Sequence, residues 1–256
     1  MTLYAAKPKG LLIDITRCIG CNACAEACKQ LHGFSQELEP ELSATSLTIV
    51  TQREDRHVRR LCMHCVEPAC TSACPVGALH KLAAGPVVYD ADKCIGCRYC
   101  MLACAYSVPR YQWSKLAPYV KKCDMCVDRQ AAGKIPACAE ACPVEATVFG
   151  EREELLRQAQ QRINENPGKY IPHIFGSEEA GGTSVLFLSD VPFEKLGFPP
   201  LIGKQPRSVL ATAALTEVPP VVMVGGGLLA SLYWITERRR AVALAEGHLK
   251  NERSTS

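Results

Sequence analysis

The chain has 256 residues, enough for one large domain or two small ones with appendages. Its 29 basic and 26 acidic residues leave a net charge of +3, and no basic stripe interleaves with aromatics, so nothing suggests a nucleic-acid surface. Sixteen cysteines would suit a disulfide scaffold in a short secreted chain, but here they sit in tight groups, which argues for metal. Residues 1–10 carry lysines without an apolar run or a twin arginine, so no export signal is expected there. Either the protein stays in the cytoplasm or a partner carries it out folded.

In chain order, the β-branched run 11–15 predicts a short strand leading into a cysteine loop, and 23–31, rich in Ala, Glu and Lys, predicts a short helix carrying Cys28. Residues 33–45 have no period and read as an insertion. Residues 47–51 and 57–61 predict two strands, paired as a hairpin. Pro75 turns the chain after Cys74, and 87–90 is a strand delivering it to Cys94. After a loop with Pro109 and Pro118, Cys142-Pro143 leads to a strand at 147–149. Strand–loop–helix units thus repeat up to about residue 150. They promise little apolar core, so an apoprotein is expected to be largely unfolded.

Residues 151–164 place Leu155, Leu156, Ala159 and Ile163 at helical spacing, an amphipathic helix expected to pack on the body. A loop at 167–182, a strand at 183–189 and a Pro-rich linker at 190–207 follow. Residues 218–235 then run eighteen long without a charge, close to the ~20 that cross a bilayer, although Glu217 and Pro219-Pro220 interrupt any extension upstream. Gly226 with Ala230 and Gly227 with Ser231 form small-xxx-small pairs, and Tyr233 and Trp234 sit where an interfacial belt would place them. A single membrane anchor is predicted. Arg238, Arg239 and Arg240 after it outweigh Lys204 and Arg207 before it, which puts the tail in the cytoplasm and the cysteine-rich part on the outer, periplasmic side. The expected division is 1–150, 151–207, 208–236 and 237–256.

The chemistry rests on four groups that use every cysteine: Cys18, Cys21, Cys24, Cys28; Cys62, Cys65, Cys70, Cys74; Cys94, Cys97, Cys100, Cys104; and Cys123, Cys126, Cys138, Cys142. Three thiolates spaced this tightly wrap three corners of an iron–sulfur cubane. In bacterial two-cluster ferredoxins the fourth cysteine ligates the neighbouring cluster. Zinc usually takes two separated C-x-x-C pairs and would leave the third cysteine of each trio unused. The second and third groups adjoin, which leaves the first and fourth as the flanking pair. The two-cluster rule then predicts one cluster on Cys62, Cys65, Cys70 and Cys104 and its partner on Cys94, Cys97, Cys100 and Cys74. The outer pair falls on Cys18, Cys21, Cys24 and Cys142, and on Cys123, Cys126, Cys138 and Cys28. The fold class expected is α+β, with tandem or nested two-cluster ferredoxin-like units, a carboxy-terminal extension and one transmembrane helix.

Four thiolates per cluster leave no iron open to substrate, which favours electron transfer over catalysis, and no catalytic residue is assigned. There is no nucleophile elbow or phosphate loop. Gly225-Gly226-Gly227 lies in the apolar span and follows no predicted strand, so it is no dinucleotide fingerprint. Lys29, Lys93, Arg98, Lys121 and Lys122, beside cysteines, read as solvated surface charge, and His57, His64 and His80 as loop histidines.

With CMHC at 62–65 and CxxCVDR at 123–129, the four groups resemble the four-cluster electron-transfer subunits of respiratory oxidoreductases. That family includes the β subunits of membrane-bound formate dehydrogenase and of dimethyl sulfoxide and nitrate reductases. The stretch YIPHIFGSEEAGGTSVLFLSDVPFEKLGFP at 170–199, followed by one anchor, is similar to the iron–sulfur subunit of membrane-bound nickel–iron hydrogenase. Formate dehydrogenase β subunits share a GGT stretch and a carboxy-terminal helix. Nitrate reductase types replace one third-group cysteine by tryptophan; Cys97 is present here, so the resemblance implies four 4Fe–4S clusters. Two features depart from the family: no twin-arginine signal is present, and Ala105 stands where a proline commonly follows the last cysteine of the third group.

The resemblance implies a relay between a catalytic subunit of hydrogenase or formate dehydrogenase type and a multi-helix quinone-binding or cytochrome b membrane subunit, with lipid met at 218–235. An electron-input subunit of a quinol-dependent reductase, a free polyferredoxin carrier and a zinc scaffold are the competing readings.

Overall fold

The computed structural model describes residues 7–113, 119–200 and 202–246. The chain divides into two compact units, Met1–Ser208 and Val209–Ser256.

The first unit is built on a three-stranded sheet with β1 (Lys9–Asp14) at its centre. On one side β8 (Thr147–Glu151) runs antiparallel, with Leu11 opposite Phe149; on the other β9 (Val185–Leu188) runs parallel, with Leu12 opposite Leu186. Both faces of this sheet are covered, which is why β1 and β9 read as continuous apolar runs. Alternate residues go to opposite sides. Leu12, Leu186 and Leu188 pack on Leu155 and Ala159 of α6 (Arg152–Glu165). Leu11, Ile13, Val185 and Phe187 enter a larger core with Phe175, Phe193, Leu196 and Phe198.

That larger core corrects two expectations. The segment 190–207 is not merely a linker, because Phe193, Leu196 and Phe198 are buried in it and Phe198 meets Phe187 edge-on at 5.0 Å. Nor is the cysteine-rich part short of apolar support, since the extension beyond residue 170 supplies the aromatics. The loop 176–184 also runs beside the second cysteine group, with Ser184 N–H donating to His64 O, Val185 to Met63 O and Val66 to Gly182 O. Gly182 needs its left-handed backbone there (φ 86°), and a Cβ on it would meet Ser177 O at 3.0 Å.

The predicted hairpin forms from β2 (Ile49–Arg53) and β3 (Arg56–Arg60), and the helix over 23–31 is α1 (Ala23–Leu31). The strand expected at 87–90 is β5 (Val87–Tyr89), paired with β4 (Leu79–Lys81); β4 and the ribbon of β6 (Arg110–Tyr111) with β7 (Val120–Lys121) have no sequence signal. Pro118 lies outside the described residues.

The second unit is helical. α7 (Arg207–Ala245) continues through Pro219 and Pro220, where an interruption was expected. Its stretch Val218–Ala245 is long and apolar enough to cross a membrane, and its side chains are not buried within the protein. Val221, Met223, Leu229 and Trp234 are exposed, and Ser231 returns its hydroxyl to Gly227 O at 2.8 Å.

Candidate metal centre

All four cysteine groups open with the same loop. The residue two places after the first cysteine has a left-handed backbone in each: Gly20 (φ 73°), His64 (φ 47°), Gly96 (φ 72°) and Met125 (φ 59°). This conformation turns the N–H back toward the cysteine. Gly96 donates to Cys94 Sγ at 3.4 Å and Met125 to Cys123 Sγ at 3.3 Å, and the Gly20 N–H acts likewise on Cys18. An N–H directed at sulfur favours the thiolate, the form that ligates metal.

Three groups also close alike. Gly77, Ser107 and Glu145 have positive φ, and each donates its N–H at 3.3 Å to the carbonyl of the cysteine three before it, Cys74, Cys104 or Cys142. Pro75 and Pro143 follow two of these cysteines, yet the turn forms equally with Ala105. In the first group Cys28 lies within α1 instead.

Packing brings the groups together in pairs. α1 lies on α5 (Ala137–Glu140), joining groups one and four, and α2 (Ala69–Ser72) lies on α3 (Tyr99–Ala103), joining two and three. No disulfide joins any of the sixteen cysteines. Cys142 is within electrostatic reach of Cys18 and Cys24, and Cys138 and Cys126 of Cys28. Cys62, Cys104 and Cys70 act on Cys65, and Cys97, Cys74 and Cys94 on Cys100. Cys74, Cys94, Cys97 and Cys100 also line one recess with Leu79 and Tyr89.

Burial pushes the Cys28 thiol up to about 12, with Cys138 and Cys126 adding to the shift, and raises Cys100 and Cys126 to about 11. At Cys74 burial is outweighed by the backbone N–H groups of Leu79, Val76, Ala78 and Gly77, and the thiol falls below its ordinary value. The raised thiols of Cys28, Cys100 and Cys126 give up their protons to a bound cation, so loading metal releases protons. Among the described residues no three His, Cys, Asp or Glu side chains converge closely enough to grip a single ion. An all-thiol donor set around a wider space fits an iron–sulfur cluster.

The charges near the cysteines differ from expectation. Lys93 and Arg98 are exposed, as surface charge should be, and Lys121 is half-buried. Lys29 and Lys122 are buried. Lys29 Nζ is satisfied by Glu39 Oε1 at 3.0 Å and Thr45 O at 2.9 Å, and Lys122 Nζ by Cys123 O at 2.9 Å and by Val87 O. A carboxylate and a carbonyl of the 33–45 segment make the first burial possible, and carbonyls of the strand at 87 and of the fourth cysteine group make the second possible. Lys81 is a further inward cation, donating to His64 O at 3.0 Å and Cys65 O at 2.8 Å; burial pulls its ammonium down to about 8. His64 is no loop surface residue either: it is fully buried and its Nδ1 accepts the Val87 N–H at 2.9 Å, leaving the proton on Nε2. His80 is exposed, and the ring of His57 lies against Gly20, where a Cβ would meet it at 2.5 Å. Sequence reasoning missed Arg59, which is buried beside groups one and four; period-2 alternation gives no sign of it, since Val58 next to it is buried too.

A model of the 4Fe-4S dicluster domain matches residues 55–152. The Hydrogenase-2 operon protein HybA of Escherichia coli O157:H7 is 37% identical over 239 residues, 75% of this chain and 73% of that protein. The chain belongs to the family of 4Fe–4S electron-transfer subunits of oxidoreductases. Two further relatives, both of Escherichia coli K12, bear this out. The iron–sulfur subunit of nitrate-inducible formate dehydrogenase is 36% identical over 69% of this chain and 66% of its own. The B subunit of anaerobic dimethyl sulfoxide reductase is 42% identical over 58% of this chain and 76% of its own. This iron–sulfur subunit accordingly binds iron–sulfur clusters.

Proposed function

We propose that the subunit carries four 4Fe–4S clusters in a row and relays electrons between a catalytic subunit of hydrogenase or formate dehydrogenase type and a quinone-reactive membrane subunit. The observation that carries this is the pairing of the cysteine groups: first with fourth through α1 and α5, second with third through α2 and α3. It supports ligand sets of Cys18, Cys21, Cys24 and Cys142; Cys123, Cys126, Cys138 and Cys28; Cys62, Cys65, Cys70 and Cys104; and Cys94, Cys97, Cys100 and Cys74. Residues 9–151 then form nested two-cluster units, the outer closed by β1 on β8 and the inner by the two ribbons.

A 4Fe–4S cluster with four cysteine ligands accepts and releases single electrons without an open iron for substrate. The chain's own part is to space and insulate these sites. Electrostatic reach between the sets supports an order. Cys24 is in electrostatic reach of Cys138, Cys123 of Cys62, and Cys70 of Cys100. The row therefore runs from group one through four and two to three. Both ends come to the surface, at the exposed Ile19 beside the first group and at Ile95 and Leu102 beside the third, which suits a relay with a partner at each end.

In this reading the helix over 218–235 anchors the subunit in the inner membrane. Arg238, Arg239 and Arg240 hold the tail on the cytoplasmic side, so the clusters face the periplasm.

Anaerobically purified protein is expected to hold about sixteen irons and as many acid-labile sulfides, four clusters of four. Cys142→Ser and Cys21→Ser should disturb one paramagnetic signal, and Cys28→Ser and Cys126→Ser another. If Cys142→Ser alters the signal that Cys126→Ser alters, the crossed assignment is wrong. A chain ending at residue 207 should leave the membrane while keeping its iron.

A further inference from the structure

Arg59 lies on β3 and is 2% exposed. Its Nε donates to Thr48 Oγ1 at 2.9 Å and its Nη1 to Thr147 Oγ1 at 3.1 Å, two buried hydroxyls that fix the plane of the fork. The third nitrogen, Nη2, is buried and has no hydrogen-bond partner. A guanidinium is charged at any working pH, and Cys138, Cys24 and Cys123 lie within its electrostatic reach, with Cys138 the side chain placed to take a hydrogen bond from it. Arg59 acts electrostatically in turn on Cys18, Cys24 and Cys28, and so reaches both members of the outer pair.

A buried guanidinium with a free N–H is costly unless an anion completes it. A cubane on four thiolates is anionic in both oxidation states and gains one more negative charge when reduced. A fixed cation nearby therefore favours the reduced form, as does a hydrogen bond to its sulfur.

We propose that Arg59 is a potential-setting residue for the two clusters of the first and fourth groups, its free Nη2 donating to cluster sulfur and holding both reduction potentials up. This rests on the ligand sets proposed above. A residue that only stapled the β2–β3 hairpin to β8 would have its three nitrogens engaged by protein acceptors. Here two are anchored and the third is left facing the cysteines.

The test is a redox titration, followed by paramagnetic resonance, of the detergent-solubilised full chain purified without oxygen. The outer pair is assigned by the signals that Cys21→Ser and Cys126→Ser perturb. In Arg59→Met the equilibrium constants for reducing these two clusters are expected to fall at least tenfold, a drop of about 59 mV for one electron, while the other two stay in place. Arg59→Lys keeps the charge but loses the fork, and should lower the same two potentials by less. Unchanged potentials in an iron-replete Arg59→Met, or an equal shift in all four clusters, would overturn the proposal. If Arg59→Met loads too little iron to titrate, unchanged potentials in Arg59→Lys overturn it. Missing clusters in the parent protein would instead sink the ligand assignment itself.

Discussion

Asp14 is the side chain whose loss should be felt furthest. It ends β1 fully buried, four residues before Cys18. Its Oδ1 accepts from Thr16 N at 3.1 Å and Thr16 Oγ1 at 2.7 Å, holding the turn that enters the first cysteine loop. Its Oδ2 accepts from Tyr170 OH at 2.9 Å and Arg162 Nη1 at 3.2 Å, tying that turn to α6 and the extension. Asp14→Ala removes the acceptor from all four donors. Neutral donors contribute about 1 kcal/mol each, and the Arg162 pair is softened by water because that side chain is 23% exposed. The total is about 3 kcal/mol, the lower end of what breaking a buried ion pair costs. For a protein of this size that is about 6–12 °C in the unfolding midpoint. Asp14→Asn keeps one oxygen as acceptor for Thr16 and turns an amide N–H toward Tyr170, whose hydroxyl can accept it, while Arg162 loses its partner, so this variant should lose less than Asp14→Ala. The assay is thermal unfolding of iron-loaded protein under argon, followed by circular dichroism. If Asp14→Ala melts within about 2 °C of the parent, or Asp14→Asn melts as low as Asp14→Ala, the hub does not carry the stability assigned to it.

Phe187, 1% exposed and packed among Phe175 and Phe198, should cost about 3–5 kcal/mol when cut to alanine, read as a lowered denaturation midpoint. Gly20→Ala places a Cβ at φ 73° against the His57 ring, so iron content should fall, and His57→Ala in the same chain should restore part of it by removing the clash. The Arg56 guanidinium beside Asp190 holds that carboxyl below its ordinary value, so the pair stabilises the fold above the unfolded carboxyl range and the contribution is lost as pH falls through the native value. Asp190→Asn should flatten the acid limb of the stability profile by less than about 1 kcal/mol, because both partners are solvent-accessible.

Much of the site was legible before any coordinates, because iron–sulfur ligation writes itself as spacing: the cysteine groups, α1, the β2–β3 hairpin, β1, β8, α6 and the apolar span all carry local signals. What escaped was set by contacts distant in sequence. Strands β4, β6 and β7 are two or three residues long, too short for a period, and of the two ribbons only β5 carried a signal of its own. Phe193 and Phe198 sit among prolines and glycines that read as a linker, and only the aromatic partners Phe175 and Phe187 make them core. Lys122 reads as surface charge and Arg59 carries no signal at all, because a sequence gives no view of the inward carbonyls, hydroxyls and thiols that make their burial tolerable. Even the positive φ at His64 and Met125 was hidden, since glycine announces that turn only at Gly20 and Gly96.

The central position of β1 bears on how the polypeptide is made. It emerges from the ribosome first, yet its antiparallel neighbour β8 comes only after the last cysteine, and its parallel neighbour β9 later still. Synthesis must therefore pass residue 188 before the sheet can close, and until then the nascent segment stays open to whatever delivers iron and sulfide. Closure of the sheet thus waits until all four cysteine groups have been made.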